Sequence, residues 1–211
     1  MSAVSAGSTG SHRVFLASRN PKKLEEMRRI LAAHLSDIEV LGLDDVAAYD
    51  EPVEDQPTFA GNALRKARAG LAATRLPSIA DDSGLCVDAL NGMPGVLSAR
   101  WSGRPKSDRR NNRLLLEQLA EVPDERRGAH FTCAVAFCAP DVDPLVVEGR
   151  MDGRVVHETR GSGGFGYDVL FEAVEFPGLT TAELDPADKD AVSHRGRALR
   201  QIAPQIAGLL G

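Results

Sequence analysis

Four short segments of the chain combine residue types and spacings that could carry chemistry. In the first, an apolar run ends at Ser18, after which Asn20 is suited to cap a helix and Pro21 to begin it. The free N–H groups of that helix, its dipole and the ammonium of Lys23 would together attract an anion. The alternative is an ordinary capped helix on which Lys23 and Glu26 form a surface ion pair.

The second segment places two acids, Asp81 and Asp82, at the predicted end of a short apolar strand over residues 77–80. Open α/β sheets bind their ligands at such strand ends. Adjacent carboxylates repel each other unless a cation or a proton lies between them, so the pair favours a hard-metal site with a water-activating base. The sequence Asp-Asp-Ser-Gly is equally suited to a tight turn, which is the alternative.

The third segment, GSGGFGYD over residues 161–168, is rich in glycine. Glycines let a backbone approach a ligand closely and direct its N–H groups at phosphate oxygens. Phe165 and Tyr167 offer flat surfaces for stacking on a planar base. A mobile hairpin connection would have a similar composition and remains the alternative.

The fourth segment contains Lys189 and, from residue 193, the sequence SHRGR. Ser193 is predicted to cap the last helix, which places His194 and Arg195 in its first turn, where cations oppose the helix dipole. An arriving anion or polar ligand would offset this cost. The alternative is a basic helix face exposed to solvent.

The strands that must position these segments are indicated by apolar runs. A strand, a polar turn and a helix within residues 14–31 are the typical opening of an α/β protein. Residues 130–139 are apolar on both faces, which predicts a central strand. Residues 145–148 and 154–157 are predicted as two neighbouring strands, separated at glycines.

Helical spacing predicts the remaining elements. A helix is expected from Thr58, with Lys66 away from its apolar face, and another over 107–120. The last helical region runs from about 193 to 210, and Pro204 is expected to kink or divide it. We therefore predict a fold of the α/β class, a mixed twisted sheet with helices on both faces.

Composition limits the classes of protein that are possible. The 211 residues carry 25 Lys and Arg against 30 Asp and Glu, a net charge of −5. A single domain over 13–211 is predicted after a small polar leader, 1–12, that we expect to be flexible. The net charge has the wrong sign for a nucleic acid partner, and no apolar run reaches the ~18 residues of a membrane helix. The three cysteines lack metal or disulfide spacing, which suits a reducing cytoplasm.

Taken together, the segments resemble the noncanonical purine NTP pyrophosphatase family, also called the inosine triphosphate pyrophosphatase or HAM1-like family. Six stretches match in sequence order between Val14 and Leu210: ASRNPKKLEE (17–26), TFAGNALRKA (58–67), IADDSGL (79–85), MPGVLSARWSG (93–103), GGFGYD (163–168) and KDAVSHRGRAL (189–199). The resemblance implies two lobes around a central nucleotide cleft. It also implies a homodimer that hydrolyses ITP, dITP and XTP with Mg²⁺ to the monophosphate and pyrophosphate, and so cleanses the nucleotide pool.

The resemblance further implies roles for individual residues. Asp82 is expected to be the catalytic general base and a Mg²⁺ ligand. Glu54 is the best match to a second metal ligand, with Glu51 and Asp55 close enough to leave the register open. The residues expected to bind substrate are Ser18, Arg19, Asn20, Pro21, Lys22 and Lys23 at the triphosphate, Phe165, Gly166, Tyr167 and Asp168 at the base and sugar, and Ser83, Lys189, His194 and Arg195 elsewhere in the pocket.

Two positions depart from the family pattern. Gly61 stands where the family usually has a glutamate that assists the metal, and Val169 replaces a usual proline. A hydrogen-bond donor to the 6-oxo group of the base would exclude ATP, whose amine is itself a donor. His194, Arg195 or backbone N–H groups are the expected donors.

Three other functions stay open. A septum-formation-inhibitor-like (Maf-type) pyrophosphatase would favour modified or pyrimidine nucleotides, although the GGFGYD and SHRG segments count against it. A nucleotide- or RNA-binding module would use Arg195, Arg197 and Arg200, but the negative net charge would repel a polyanion. Gly61 leaves room for a metal-poor homologue that senses nucleotide without cleaving it.

Overall fold

The computed structural model describes residues 12–33 and 38–210 and contains one mixed sheet flanked by helices. The elements follow along the chain as β1 (His12–Leu16), α1 (Pro21–Ala32), β2 (Ile38–Leu41), α2 (Phe59–Thr74), β3 (Ser78–Val87), β4 (Met93–Pro94), α3 (Asp108–Gln118), β5 (Gly128–Cys138), β6 (Leu145–Val155), β7 (Phe171–Ala173), α4 (Pro186–Val192) and α5 (His194–Leu210). The predicted leader, 1–12, lies outside the described residues except for His12, which begins β1.

The sheet has the strand order β2-β1-β3-β5-β6-β7, and β4 pairs with β3 off this path. β1 is parallel to both of its neighbours, whereas β3, β5 and β6 pair antiparallel over ten residues each. β1 pairs with β3 only through Phe15 and Leu16 before the chain turns into α1. The N-terminus of α1 therefore lies beside the middle of β3.

Hydrophobic clusters form on both faces of the sheet, which confirms the predicted α/β architecture. α1 and α5 pack on one face, at the end of β3 that contains Ile79. α3 and β7 pack at the other end, around Leu85, and α2 covers the opposite face at Ala80. Since alternate strand residues share a face, Asp81 and Ser83 lie between the first two clusters. The cluster around Ile79 thus marks a first lobe, and the cluster around Leu85 marks a second lobe.

β3 is longer than predicted. It continues through Asp81-Asp82-Ser83-Gly84 to Val87 because β5 pairs with it along its whole length, from Ser78 to Val87. A Cβ at Gly84 would overlap the carbonyl oxygen of Gly95 and the hydroxyl of Ser98, so the glycine serves close packing. The tight-turn alternative for this segment is therefore wrong.

β6 is one strand where two were predicted, and it runs through Gly149 and Gly153. A Cβ at Gly149 would overlap the carbonyl oxygen of His194, and one at Gly153 would overlap that of Glu172. These glycines mark close backbone approaches and do not interrupt the strand.

The last helix, α5, is continuous from His194 to Leu210 and is not divided at Pro204, as the sequence had suggested it could be. Ile202, Ala203 and Ile206 are fully buried on both sides of the proline, and their packing holds the helix together. The short helix α4 and the strands β2, β4 and β7 were not predicted. Within the described residues, no helix is both long and apolar enough to cross a membrane.

Candidate active site

The N-terminus of α1 is capped as the sequence predicts. The side-chain oxygen of Asn20 accepts hydrogen bonds from the N–H groups of Lys22 at 3.1 Å and Lys23 at 3.4 Å. Lys23 does not form a surface pair with Glu26, however. Its ammonium donates to Asp81 at 2.8 Å, while Glu26 is buried and accepts from Arg195 at 2.6 Å. The expectation of an ordinary surface ion pair is therefore wrong, because both side chains face inward.

A buried ion network surrounds Arg195, which is only 2% exposed. Its guanidinium donates to Glu26, to Asp81 at 3.3 Å and to the hydroxyl of Ser83 at 3.0 Å. Burial alone would raise the pKa of Asp81, but Lys23 and Arg195 outweigh it and hold that pKa well below its usual range. The interpretation of this segment as a solvated basic face is therefore wrong.

Asp81 and Asp82 point to opposite faces of β3, since successive strand residues alternate. Asp82 accepts a hydrogen bond from the amide of Asn62 at 2.9 Å and lies 3.8 Å from the ammonium of Lys66. Burial raises the pKa of Asp82, and Lys66 and Asn62 only partly offset that rise. The two carboxylates therefore contact different cations directly, although Lys66 acts on the pKa of both.

The ammonium of Lys66 donates to a carboxylate oxygen of Glu54 at 2.9 Å, so Glu54 and Asp82 share this cation. Burial alone would raise the pKa of Glu54, but Lys66 outweighs it and lowers that pKa. The two alternative residues lie elsewhere, since Glu51 bonds to Arg19 and Asp55 bonds to the exposed Arg65. Nowhere in residues 12–33 or 38–210 do three or more His, Cys, Asp or Glu side chains form a metal-binding group.

Lys66 and Asn62 are site residues that the sequence reasoning missed. The apolar residues of α2 indicate its buried face in the sequence, and Lys66 lies outside that apolar pattern. The two residues are four apart, so they share a helix face, and that face meets Asp82. The spacing of four residues between Asn62 and Lys66 was the sequence signal that could have identified them as site residues.

The glycine loop, defined as residues 161–166, is held from several sides. Asp168 is buried, accepts from the N–H of Phe165 at 2.8 Å and receives the ammonium of Lys189 at 2.6 Å. The ammonium of Lys22 donates to the carbonyl of Gly164 at 2.6 Å. Asp168, which follows the loop, thus orders the loop backbone at Phe165, and Lys22 joins the loop to α1.

Only one of the two aromatic rings expected to stack on a base borders the cleft. The ring of Tyr167 is buried, and its hydroxyl donates to the carbonyl of Ser98 at 2.9 Å. Phe165 is partly exposed, and its ring centroid lies 5.5 Å from the ammonium of Lys189 and 5.6 Å from the guanidinium carbon of Arg195. Cations at this distance are attracted to the ring face.

His194 stacks on Phe131, with ring centroids 4.8 Å apart and ring planes 11° apart. Burial, reinforced by Arg195 and Lys189, lowers the pKa of His194 well below its usual range, so the imidazole is neutral. Its buried Nδ1 has no hydrogen-bond partner among the residues that the structure describes. The expected pair of uncompensated cations at the start of α5 is therefore wrong, since His194 is uncharged and Arg195 is paired.

The four segments singled out in the sequence meet in one cleft. Lys22 reaches Gly164 in the loop, and Lys23 reaches Asp81 on β3. The expected substrate residues that lie to one side are Arg19, which is exposed and bonds to Glu51, and Pro21, which begins α1. Arg197 and Arg200, proposed for an RNA-binding module, bond to carbonyl groups of the protein itself.

Fold and site together define an α/β protein whose cleft sets buried carboxylates among several cations, as enzymes acting on charged phosphorylated substrates do. The chain belongs to the Ham1 family, whose sequence profile matches residues 14–205. This finding confirms the resemblance seen in the six motifs.

Relatives support the same assignment. The chain is 57% identical over 198 residues to the dITP/XTP pyrophosphatase of Nocardia farcinica, covering 93% of this chain and 96% of that protein. It is 55% identical over 201 residues to the dITP/XTP pyrophosphatase of Corynebacterium diphtheriae, covering 93% and 97%. The solved Ham1 protein of Staphylococcus aureus superposes with a TM-score of 0.83 at 34% identity, covering 93% and 99%. A solved nucleoside-triphosphatase / dITP/XTP pyrophosphatase from Mycobacterium abscessus gives 0.74 at 53% identity, covering 91% and 99%.

The buried ion network predicts a large stability loss when Arg195 is removed. Arg195→Met leaves Glu26 buried and unpaired, so we expect the free energy of unfolding in urea to fall by about 3 kcal/mol or more. Arg65→Met, which breaks an exposed pair with Asp55, is the control and is expected to change little. Equal losses in the two variants would show that burial of the network does not set its contribution.

The neutral state of His194 predicts a pH dependence of stability. In the unfolded chain a histidine takes up a proton near pH 6.5, whereas folded His194 does not, so the unfolded state gains protons as the pH falls. Between pH 7 and 5.5 the wild type is therefore expected to lose about 1 kcal/mol more stability than His194→Phe, which retains an aromatic ring against Phe131. Urea unfolding at both pH values measures this, and equal losses would contradict it.

Proposed function

We propose that this chain hydrolyses noncanonical purine nucleoside triphosphates, namely dITP, ITP and XTP, to the monophosphate and pyrophosphate. The observation that carries the proposal is the Glu54–Lys66–Asp82 arrangement beside the N-terminus of α1. The names of the relatives, dITP/XTP pyrophosphatases at 55% identity and above, support the substrate class.

The triphosphate is bound at the start of α1. Asn20 already orders the first turn, and the helix dipole favours negative charge there. Lys22, Lys23 and Lys66 bring three ammonium groups to this side of the cleft, and each now contacts a carbonyl or carboxylate of the protein. Phosphate oxygens are acceptors of the same kind, so these cations can offset the charge of the leaving pyrophosphate.

Asp82 acts as the general base. Before a cation binds, burial raises the pKa of Asp82 above its usual range, which favours proton acceptance, and a bound Mg²⁺ would lower that pKa again. Asn62 fixes one carboxylate oxygen, while the other faces Lys66 at 3.8 Å. The second oxygen is therefore oriented to accept a proton from an attacking water.

Mg²⁺ is the proposed cofactor, held by Glu54 and Asp82. These carboxylates already share one cation, the Lys66 ammonium, and carboxylate oxygens are the ligands that Mg²⁺ prefers. When bound, the ion neutralises charge on the phosphate oxygens. Gly61 adds no ligand, and its N–H donates to the hydroxyl of Thr58 at 3.1 Å.

The nucleobase is selected on the other side of the cleft, near Phe165. The N–H groups of Arg195 are engaged with Glu26, Asp81 and Ser83. The neutral imidazole of His194 makes no hydrogen bond to a described residue. Because its Nδ1 is fully buried, Nε2 in its N–H tautomer is the better donor to a 6-oxo group. An adenine amine at that position would leave two donors facing each other, and ATP would be rejected.

A substrate panel tests the proposed function. With Mg²⁺ we expect pyrophosphate release from dITP, ITP and XTP well above that from ATP, dTTP and UTP. Asp82→Asn is expected to lower kcat by about 10²–10⁴-fold, because the base is lost. Asp152→Asn, which removes an exposed carboxylate of β6, is the control. Binding of ITP without turnover would favour a sensor, and a preference for dTTP or UTP would favour a Maf-type enzyme.

The metal site has its own test. Glu54→Gln is expected to raise the Mg²⁺ concentration for half-maximal activity by about 10–100-fold, as the loss of a ligand or its support does. Glu51→Gln and Asp55→Asn are matched controls on the same loop, and both are expected to keep the Mg²⁺ requirement of the wild type. A shift in either control in place of Glu54 would move the ligand to that residue.

The proposal includes a homodimer in the cytoplasm, and it rests on the family resemblance. Sedimentation at micromolar concentration is expected to give twice the mass of one chain, and a monomer alone would contradict the dimer.

A further inference from the structure

Two residues of α3 hold Gly166 of the glycine loop through both of its backbone polar groups. The N–H of Gly166 donates to the carboxylate of Asp108 at 2.8 Å, and the carbonyl of Gly166 accepts from the amide of Asn112 at 3.0 Å. Asp108 and Asn112 are four residues apart, so they share a helix face. We call these two side chains the α3 clamp.

The clamp supplies hydrogen-bond partners for the backbone N–H and C=O of Gly166, which no strand or helix pairs. Gly166 has φ +63°, a left-handed conformation in which no strand or helix continues. Loop backbone groups without partners would otherwise exchange freely with water. With both polar groups of Gly166 bonded to one helix, the loop follows the position of α3.

The clamp acts next to Phe165, the ring that borders the cleft. Phe165 precedes Gly166 in the chain and lies over Lys189 and Arg195. α3 itself is fixed by Leu115 and by Leu119, which directly follows the helix; both are fully buried in the cluster around Leu85. A displacement of Gly166 would therefore move the Phe165 ring relative to the guanidinium of Arg195.

Two of the three ammonium groups on the triphosphate side of the cleft are held by contacts outside the glycine loop, and the third, that of Lys22, contacts the loop at Gly164, two residues before the clamped Gly166. Lys23 is fixed by Asp81, and Lys66 by Glu54 and Asp82, none of which lies on α3. Loss of the clamp leaves these contacts in place.

We propose that Asp108 and Asn112 are positioning residues that set the place of Phe165 and thereby the affinity for the nucleoside part of the substrate, but not for its phosphates. This inference rests on the proposed function, because it assigns a part of the same site. It adds two residues from the second lobe to those that determine nucleoside binding.

Inhibition by two probes tests the proposal. Inosine monophosphate reports on the nucleoside side and inorganic tripolyphosphate on the phosphate side. For Asp108→Ala and Asn112→Leu we expect the Ki of inosine monophosphate and the KM of ITP to rise on the order of tenfold, as loss of a hydrogen bond to a charged or buried group does. The Ki of tripolyphosphate and kcat are expected to stay within about twofold, since uniform binding is lost.

Two further variants separate positioning from general damage. Asp108→Asn keeps an acceptor oxygen for the N–H of Gly166, so it is expected to retain wild-type values. Arg113→Ala is the matched control on α3, since Arg113 is 80% exposed and bonds only to Glu117 among the described residues. Circular dichroism checks that each variant is folded. If Asp108→Ala is not folded, the Ki values of Asn112→Leu decide whether the clamp positions Phe165.

The outcomes are distinct. Equal rises in the Ki of both probes, or no rise in either, would overturn the clamp. A wild type that binds both probes but releases no pyrophosphate from ITP would overturn the proposed function alone, because the Ki comparison can be repeated as a comparison of dissociation constants by calorimetry.

Discussion

The guanidinium of Arg195, buried between Glu26 and Asp81, is the constraint on which the site depends. It brings together α1, β3 and α5, three elements far apart in the chain. Charges buried this deeply are tolerated only when their partners stand at hydrogen-bonding distance, so the contact fixes all three elements at once. The places of Lys23 and Ser83 follow from it, because both bond to members of the same network.

The adjacent aspartates Asp81 and Asp82 have pKa values shifted in opposite directions, because they lie on opposite faces of β3. Asp81 meets Lys23 and Arg195, and its pKa falls, while Asp82 meets Asn62 and a single, shared lysine, and burial raises its pKa. Two neighbouring carboxyl groups whose environments separate their pKa values are suited to different roles. Here Asp81 pairs with Lys23 and Arg195, whereas Asp82 is the residue that we propose as the base.

Local patterns in the sequence predicted the four segments, α3, the central strand β5 and the cap of α1, because each depends on residues close in the chain. Glycines and acids favour turns by their local chemistry, but in β3 and β6 Gly84 and Gly149 serve close backbone packing that only the tertiary structure reveals. The pair Glu26–Arg195 spans 169 positions, and no spacing rule reaches that far. Lys66 was missed because the apolar residues alone defined its helix face.

The helix α5 has its first turn in the cleft and the rest in the core. His194 and Arg195 begin it, and Leu199, Ile202 and Ile206 anchor it in the first cluster. A helix anchored along its length cannot fray at one end without exposing apolar surface. We therefore expect that, as denaturant is added, the ion network at Arg195 persists until the packing of the first cluster is lost.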